Sequence, residues 1–142
     1  MLAAPPPGVQ ARNGWFRFLL PNLPAGGYVT LNDTGAAPAV LLGARSSACG
    51  SIMLHRTETA GGVERMVAVP SVTVPARGSF RFSPGGYHLM CMQPAMHPGE
   101  TVSVTLSFAG GANVIVPFAV RGPGVAPAAN SSMNMPMTMP MK

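Results

Sequence analysis

The hydrophobic pattern of this chain is short-ranged. Residues 101–108, Thr-Val-Ser-Val-Thr-Leu-Ser-Phe, alternate polar and apolar positions without a break. That period of two is the signature of a strand with one buried face. Ala109-Gly110-Gly111 follows as a tight hairpin and leads into Val114-Ile115-Val116. Elsewhere short apolar runs stand between Gly, Pro, Asn and Asp, and sustained helical periodicity is absent. The pattern predicts strands at residues 15–20, 28–32, 39–44, 49–56, 65–69, 71–74, 79–82, 88–92, 101–108 and 113–120. Ten short strands with few helical signals predict an all-β domain, two packed sheets in a Greek-key arrangement.

Composition sharpens this picture. At 142 residues there is room for one core, and with 47% hydrophobic and 9% charged residues most of the chain can be buried. The 17 glycines and 16 prolines supply the turns between strands. No apolar stretch reaches the roughly 18 residues that a spanning helix needs, so the chain is not expected to cross a membrane. Residues 1–8, with Pro5-Pro6-Pro7, have neither a basic region nor an apolar core and do not read as a signal peptide. A mature exported protein carrying an added initiator Met would look the same. Residues 1–14 are expected to be an N-terminal extension and 15–121 the folded domain. From Gly122 the apolar pattern stops. Residues 122–132 read as a flexible linker, and Met133, Met135, Met137, Met139 and Met141 then occupy every second position. Pro136 and Pro140 argue against a sheet strand there.

The net charge of +5 comes from eight arginines and Lys142. The arginines fall on many separate segments, whereas nucleic-acid binding needs a clustered basic face with aromatics to stack bases. A solvated basic surface is the plain reading and docking to an acidic partner the sharper one. The acids are Asp33, Glu58, Glu64 and Glu100, with no Ser/His/Asp or Cys/His grouping, so acid–base or hydrolytic catalysis has no cast and the chain is not expected to be an enzyme.

Candidate chemistry concentrates in Gly85-Gly86-Tyr87-His88-Leu89-Met90-Cys91-Met92. Alternation puts His88, Met90 and Met92 on one strand face and Leu89 and Cys91 on the other. An imidazole beside thioethers, with no carboxylate, is a soft donor set suited to Cu(I) rather than Zn(II), Mg(II) or Ca(II). Thioethers have no proton to lose and form no disulfides, so they can hold Cu(I) where thiolates would be oxidised. With His55 and Met66 upstream, the spacing is H-x10-M-x21-H-x-M.

That spacing resembles the periplasmic copper chaperone family often written PCu(A)C. The resemblance extends to Met53-Leu54-His55, Gly61-Gly62-Val63, Val74-Pro75-Ala76, Gly85-Gly86-Tyr87-His88, Ala25-Gly26-Gly27-Tyr28 and Asn32-Asp33-Thr34-Gly35. It implies a cupredoxin-like Greek-key β-sandwich, export to the periplasm, and His55, Met66, His88 and Met90 as the Cu(I) ligands. It further implies copper delivery in cytochrome c oxidase assembly, with an oxidase subunit or a thioredoxin-like copper chaperone as partner. A periplasmic copper store is the alternative, with the five tail methionines as an accessory site. The family often carries extra Met between positions 55 and 66, where this chain has Thr59 and Glu64.

The remaining candidates have plainer readings. Met53 and Met92 lie on ligand-bearing faces and are expected to form a hydrophobic collar around the metal. Met96 and His97 are expected in a loop after Pro94, and Trp15 in the core. Cys49 and Cys91 either pair, as an oxidising compartment permits, or stay as two buried thiols. A blue-copper electron carrier needs Cys before its second His and Met. Cys91 follows both, which disfavours that function.

Overall fold

Ten strands build the computed structural model, which describes residues 8–122. They are β1 (Val9–Arg17), β2 (Ala25–Asp33), β3 (Ala39–Arg45), β4 (Ser51–Ala60), β5 (Val63–Ala68), β6 (Val72–Val74), β7 (Gly78–Arg81), β8 (Tyr87–Met92), β9 (Thr101–Phe108) and β10 (Asn113–Arg121). No helix forms among the described residues, and so none there is long and apolar enough to span a membrane. The tail methionines Met133, Met135, Met137, Met139 and Met141 lie outside the described residues, as do residues 1–7.

The two packed layers are not separate sheets. Hydrogen bonding runs unbroken through β5-β4-β8-β2-β1-β10-β9-β3-β6, with β7 joined to β2. A single bridge, Ala44↔Ile52, connects β3 back to β4 and closes the structure around its core. The fork at β2 makes this possible. Its first half pairs with β8 and its second half with β7, so one strand serves both layers. The core is filled by alternate residues from both layers, among them Phe16, Leu31, Leu41, Phe82, Leu89, Leu106 and Phe118. Phe16 and Phe118 stack at 4.9 Å between ring centroids across the parallel β1–β10 pair.

The first strand departs from its sequence expectation. It takes in residues 9–14 and stops at Arg17, leaving Leu19 and Leu20 exposed beyond it. A bulge explains this: three residue steps from Arg12 to Trp15 oppose two steps from Thr30 to Tyr28, and Asn13 takes a positive φ of 58°. The extra residue breaks the two-residue alternation that a pattern reading relies on. Past the bulge the alternation is regular, and Trp15 faces outward rather than into the core as expected. Phe16 holds the core position instead, while Trp15 is half-buried against Tyr28, 4.8 Å between centroids, on the outer face.

Candidate metal centre

β4 and β8 pair antiparallel with His55 opposite His88, Met53 opposite Met90 and Ser51 opposite Met92. Residues directly opposite share a face, with Cβ atoms roughly 4.5–5.5 Å apart. Their alternates, Leu54 with Leu89 and Ile52 with Cys91, turn to the other face, where Leu54, Leu89 and Cys91 enter the core. The outer face of two strands thus gathers two imidazoles and three thioethers. The His55 and His88 rings meet edge-on at 86°, with centroids 5.6 Å apart.

Met66 arrives differently. β4 and β5 form a hairpin whose two-residue turn, Gly61-Gly62, has φ of 61° and 80°. Positive φ at both central positions is the primed turn that glycine permits at little cost. The hairpin places Met66 opposite Thr57, which is two residues beyond His55 on the same face. Met66 is therefore a diagonal neighbour of His55, one strand further out, and 59% exposed, against 3% for His88 and 9% for Met90. Three of the four expected ligands form a cluster, and the fourth stands at its rim.

β2 buries the other side of the cluster. Gly26 pairs with Met90, and a Cβ at Gly26 would sit 2.7 Å from the Tyr28 hydroxyl oxygen. The missing side chain leaves room for Tyr28 to lie over Gly26, backed by Trp15, whose ring carries the Arg17 guanidinium at 5.7 Å. Burial raises the Tyr28 phenol above its ordinary value, with Arg17 opposing. Pattern reading missed this wall because Trp15 was expected in the core, whereas Phe16 and Phe18 take the buried face.

The hydrogen bonding leaves ring nitrogens open on both histidines. His88 Nε2 and His55 Nδ1 are buried with no hydrogen-bond partner. His88 Nδ1 lies 3.4 Å from the Gly86 carbonyl oxygen. With the proton on Nδ1 and donated to that carbonyl, the Nε2 lone pair is free for a metal. Two orphaned imidazole nitrogens on one face fit a bound cation. Among the described residues no three His, Cys, Asp or Glu side chains gather into a harder site. Glu58 is held by Arg56 at 3.0 Å and Arg65 at 3.4 Å, and Glu100 Oε1 accepts from the His97 backbone N–H at 2.8 Å.

Burial lowers the His88 pKa below 6.5; the Gly86 carbonyl opposes the shift and the His55 charge adds to it. The sign for stability follows from linkage. Just below pH 6.5 the unfolded chain takes up a proton that folded His88 refuses, so stability falls with pH until the folded ring protonates. Urea midpoints of the metal-free protein measured from about pH 8 down to about pH 5 are expected to fall below pH 6.5. The fall is expected to shrink in His88→Gln. A slope of equal size in that variant would remove His88 as its source.

The cysteines resolve into one of their two readings. Cys49 and Cys91 form a disulfide, with Cα atoms 5.5 Å apart, and no free cysteine remains. Cys91 is fully buried on the core side of β8, so thiolate ligation at the His/Met face is excluded on two counts. Met96 lies in the loop after Pro94 as expected, and its side chain is buried in the core, 3% exposed. His97 stays out in solvent, its side chain 85% exposed.

The likeness to known proteins agrees with this architecture. The family model "LpqE-like: Putative lipoprotein LpqE-like" matches residues 9–120. "Putative lipoprotein Lxx21020" of Leifsonia xyli subsp. xyli (strain CTCB07) is 33% identical over 117 residues, 80% of this chain and 70% of that protein. Among solved structures, the copper-bound PCuAC domain from PmoF2 aligns with TM-score 0.69 at 21% identity, covering 87% of this chain and 100% of that domain. The Cu(I) form of DR1885 from Deinococcus radiodurans aligns with TM-score 0.63 at 31% identity, covering 84% of this chain and 80% of that one. This chain belongs to the LpqE-like family, and its domain has the PCuAC fold.

Proposed function

We propose that this protein is an extracytoplasmic copper chaperone that holds Cu(I) on the β4–β8 face and passes it to an acceptor protein. The observation that carries the reading is the pair His55 and His88, each with an unpartnered buried nitrogen, beside Met90 and with no acid in the cluster. Two imidazoles and two thioethers make a soft set that favours Cu(I). His55, His88 and Met90 are the inner ligands, and Met66 closes over the metal from the hairpin. Its exposure supports transfer: an incoming ligand can replace the outer thioether before the buried groups let go. Copper-bound and Cu(I)-bound relatives of the same fold support the choice of metal. A disulfide within the site's own strand, and lipoproteins in the family, support an oxidising compartment such as the periplasm. An acceptor in cytochrome c oxidase assembly is the destination we assign.

X-ray absorption on the protein loaded with one Cu(I) tests the site directly. Equal nitrogen and sulfur coordination is expected, about two of each. A shell of sulfur alone would remove the histidines and the reading with them. Zn(II), which prefers imidazole, thiolate and carboxylate, finds only two such ligands here. Calorimetry is expected to give a Zn(II) affinity at least about tenfold below that for Cu(I). Comparable affinities would contradict a soft site.

A further inference from the structure

We propose that Met53 and Met92, with Met90 between them, form a second, three-thioether Cu(I) station through which metal enters and leaves the buried His88 position. This rests on the copper reading above and adds a step to it. Met53 lies directly opposite Met90, and Met92 is two residues further along the same face of β8. Met92 is also the diagonal neighbour of Met53, since its own opposite residue is Ser51. Direct and diagonal neighbours stand roughly 5 and 7–8 Å apart at Cβ, within reach of thioether side chains converging on one ion.

Burial arranges these sulfurs in order. Met90 is 9% exposed, Met92 is half-buried, and Met53 is 43% exposed. A collar that only excluded water would have no use for a thioether open to solvent, where oxidation threatens it. Ser51 completes the row without contributing a charge that would draw a harder metal. Met92 also walls a groove of about 330 Å³ between residues 21–24 and residues 93–94. Leu23, which lines it, is exposed, as are Leu19 and Leu20 just before it in the chain. The station therefore opens where an acceptor could bring its own sulfur ligand to the metal.

The step is a ligand exchange with no electron transferred. Cu(I) stays d10 while a bond to Met53 or Met92 sulfur forms and one to a histidine nitrogen breaks. Met90 is common to both positions and keeps the ion bound throughout. Three thioethers without imidazole bind more weakly than the mixed set, so the station is a waypoint and the histidine position the resting place.

The test uses the full chain carrying 13C-methyl methionine, with Ag(I) as a diamagnetic Cu(I) substitute. The Met53 and Met92 methyl resonances are assigned through Met53→Leu and Met92→Leu. The first equivalent of Ag(I) is expected to shift Met90 fully, and Met53 and Met92 together by a smaller amount, as a minor population of the same ion visits the station. In the Met53→Leu/Met92→Leu protein, release of Cu(I) to excess bicinchoninate is expected to slow about tenfold while equilibrium affinity changes less than about threefold. Release at the wild-type rate, or methyl signals of Met53 and Met92 indifferent to Ag(I), would overturn the station. So would an affinity loss as large as the rate loss, because the two residues would then be ligands of the resting site. Failure of the histidine site itself looks different: Met90 would not respond to the first equivalent, and absorption spectroscopy would find no nitrogen.

Discussion

Reduction of the Cys49–Cys91 disulfide is expected to destabilise the metal-free domain by about 4 kcal/mol, by the chain-entropy estimate for a loop of 42 residues. The bridge joins the segment before β4 to the core side of β8. Around it the Gly50 N–H donates to the Met92 carbonyl at 2.8 Å and the Ala95 N–H to the Ala48 carbonyl at 2.7 Å. Those bonds hold the end of β8, where Met90 and Met92 project, against β4. A Cys49→Ala/Cys91→Ala variant, followed by urea denaturation with and without metal, checks this. The expected shift of the midpoint is more than about 1 M, given slopes of about 1–3 kcal/mol per molar urea for small domains. Cu(I) stoichiometry is expected to be unchanged, because Cys91 faces away from the imidazoles. An unshifted midpoint would show that packing alone secures β8, and a lost copper equivalent would return the thiols to the site.

Met90→Leu is expected to weaken Cu(I) binding tenfold or more, about 1.4 kcal/mol, measured by competition with a chromophoric chelator. Leucine keeps the apolar volume, and a swap of this kind costs under about 1.5 kcal/mol of fold stability. The test separates two roles that Met90 combines, since it is 9% exposed as a packed residue and also flanks both histidines. If it only fills space between β2 and Met53, leucine does the same and copper affinity holds. If it supplies a sulfur, affinity falls while the urea midpoint barely moves. An unchanged affinity would strike Met90 from the ligands.

Much of the fold was legible because β-alternation and turn residues act locally. The predicted run at 101–108 coincides with β9, and the glycine pair at 110–111 stands at the hairpin expected of it, whereas the Gly61-Gly62 hairpin extends β4 and β5 beyond their expected ends at 56 and 65. Only local sterics and one buried face are needed for such signals. The same locality assigns His88, Met90 and Met92 to one face from their spacing alone. It could not say what lay opposite. That Met53 faces Met90 while Met66 stands diagonal to His55 depends on strand register, which is set by core packing and turn geometry between residues distant in the chain. Trp15 was expected in the core, but past the β1 bulge it lies on the face opposite buried Phe16 and Phe18, so the aromatic wall came only with the tertiary fold. The cysteines make the same point. Their spacing allowed either a bridge or two thiols, and only the approach of the 46–50 segment to β8 decided for the bridge. By itself the sequence determined which donors were available and that they were soft. Tertiary structure decided which were buried, because burial depends on neighbouring strands such as β2, whose Gly26 pairs with Met90 and leaves room for Tyr28.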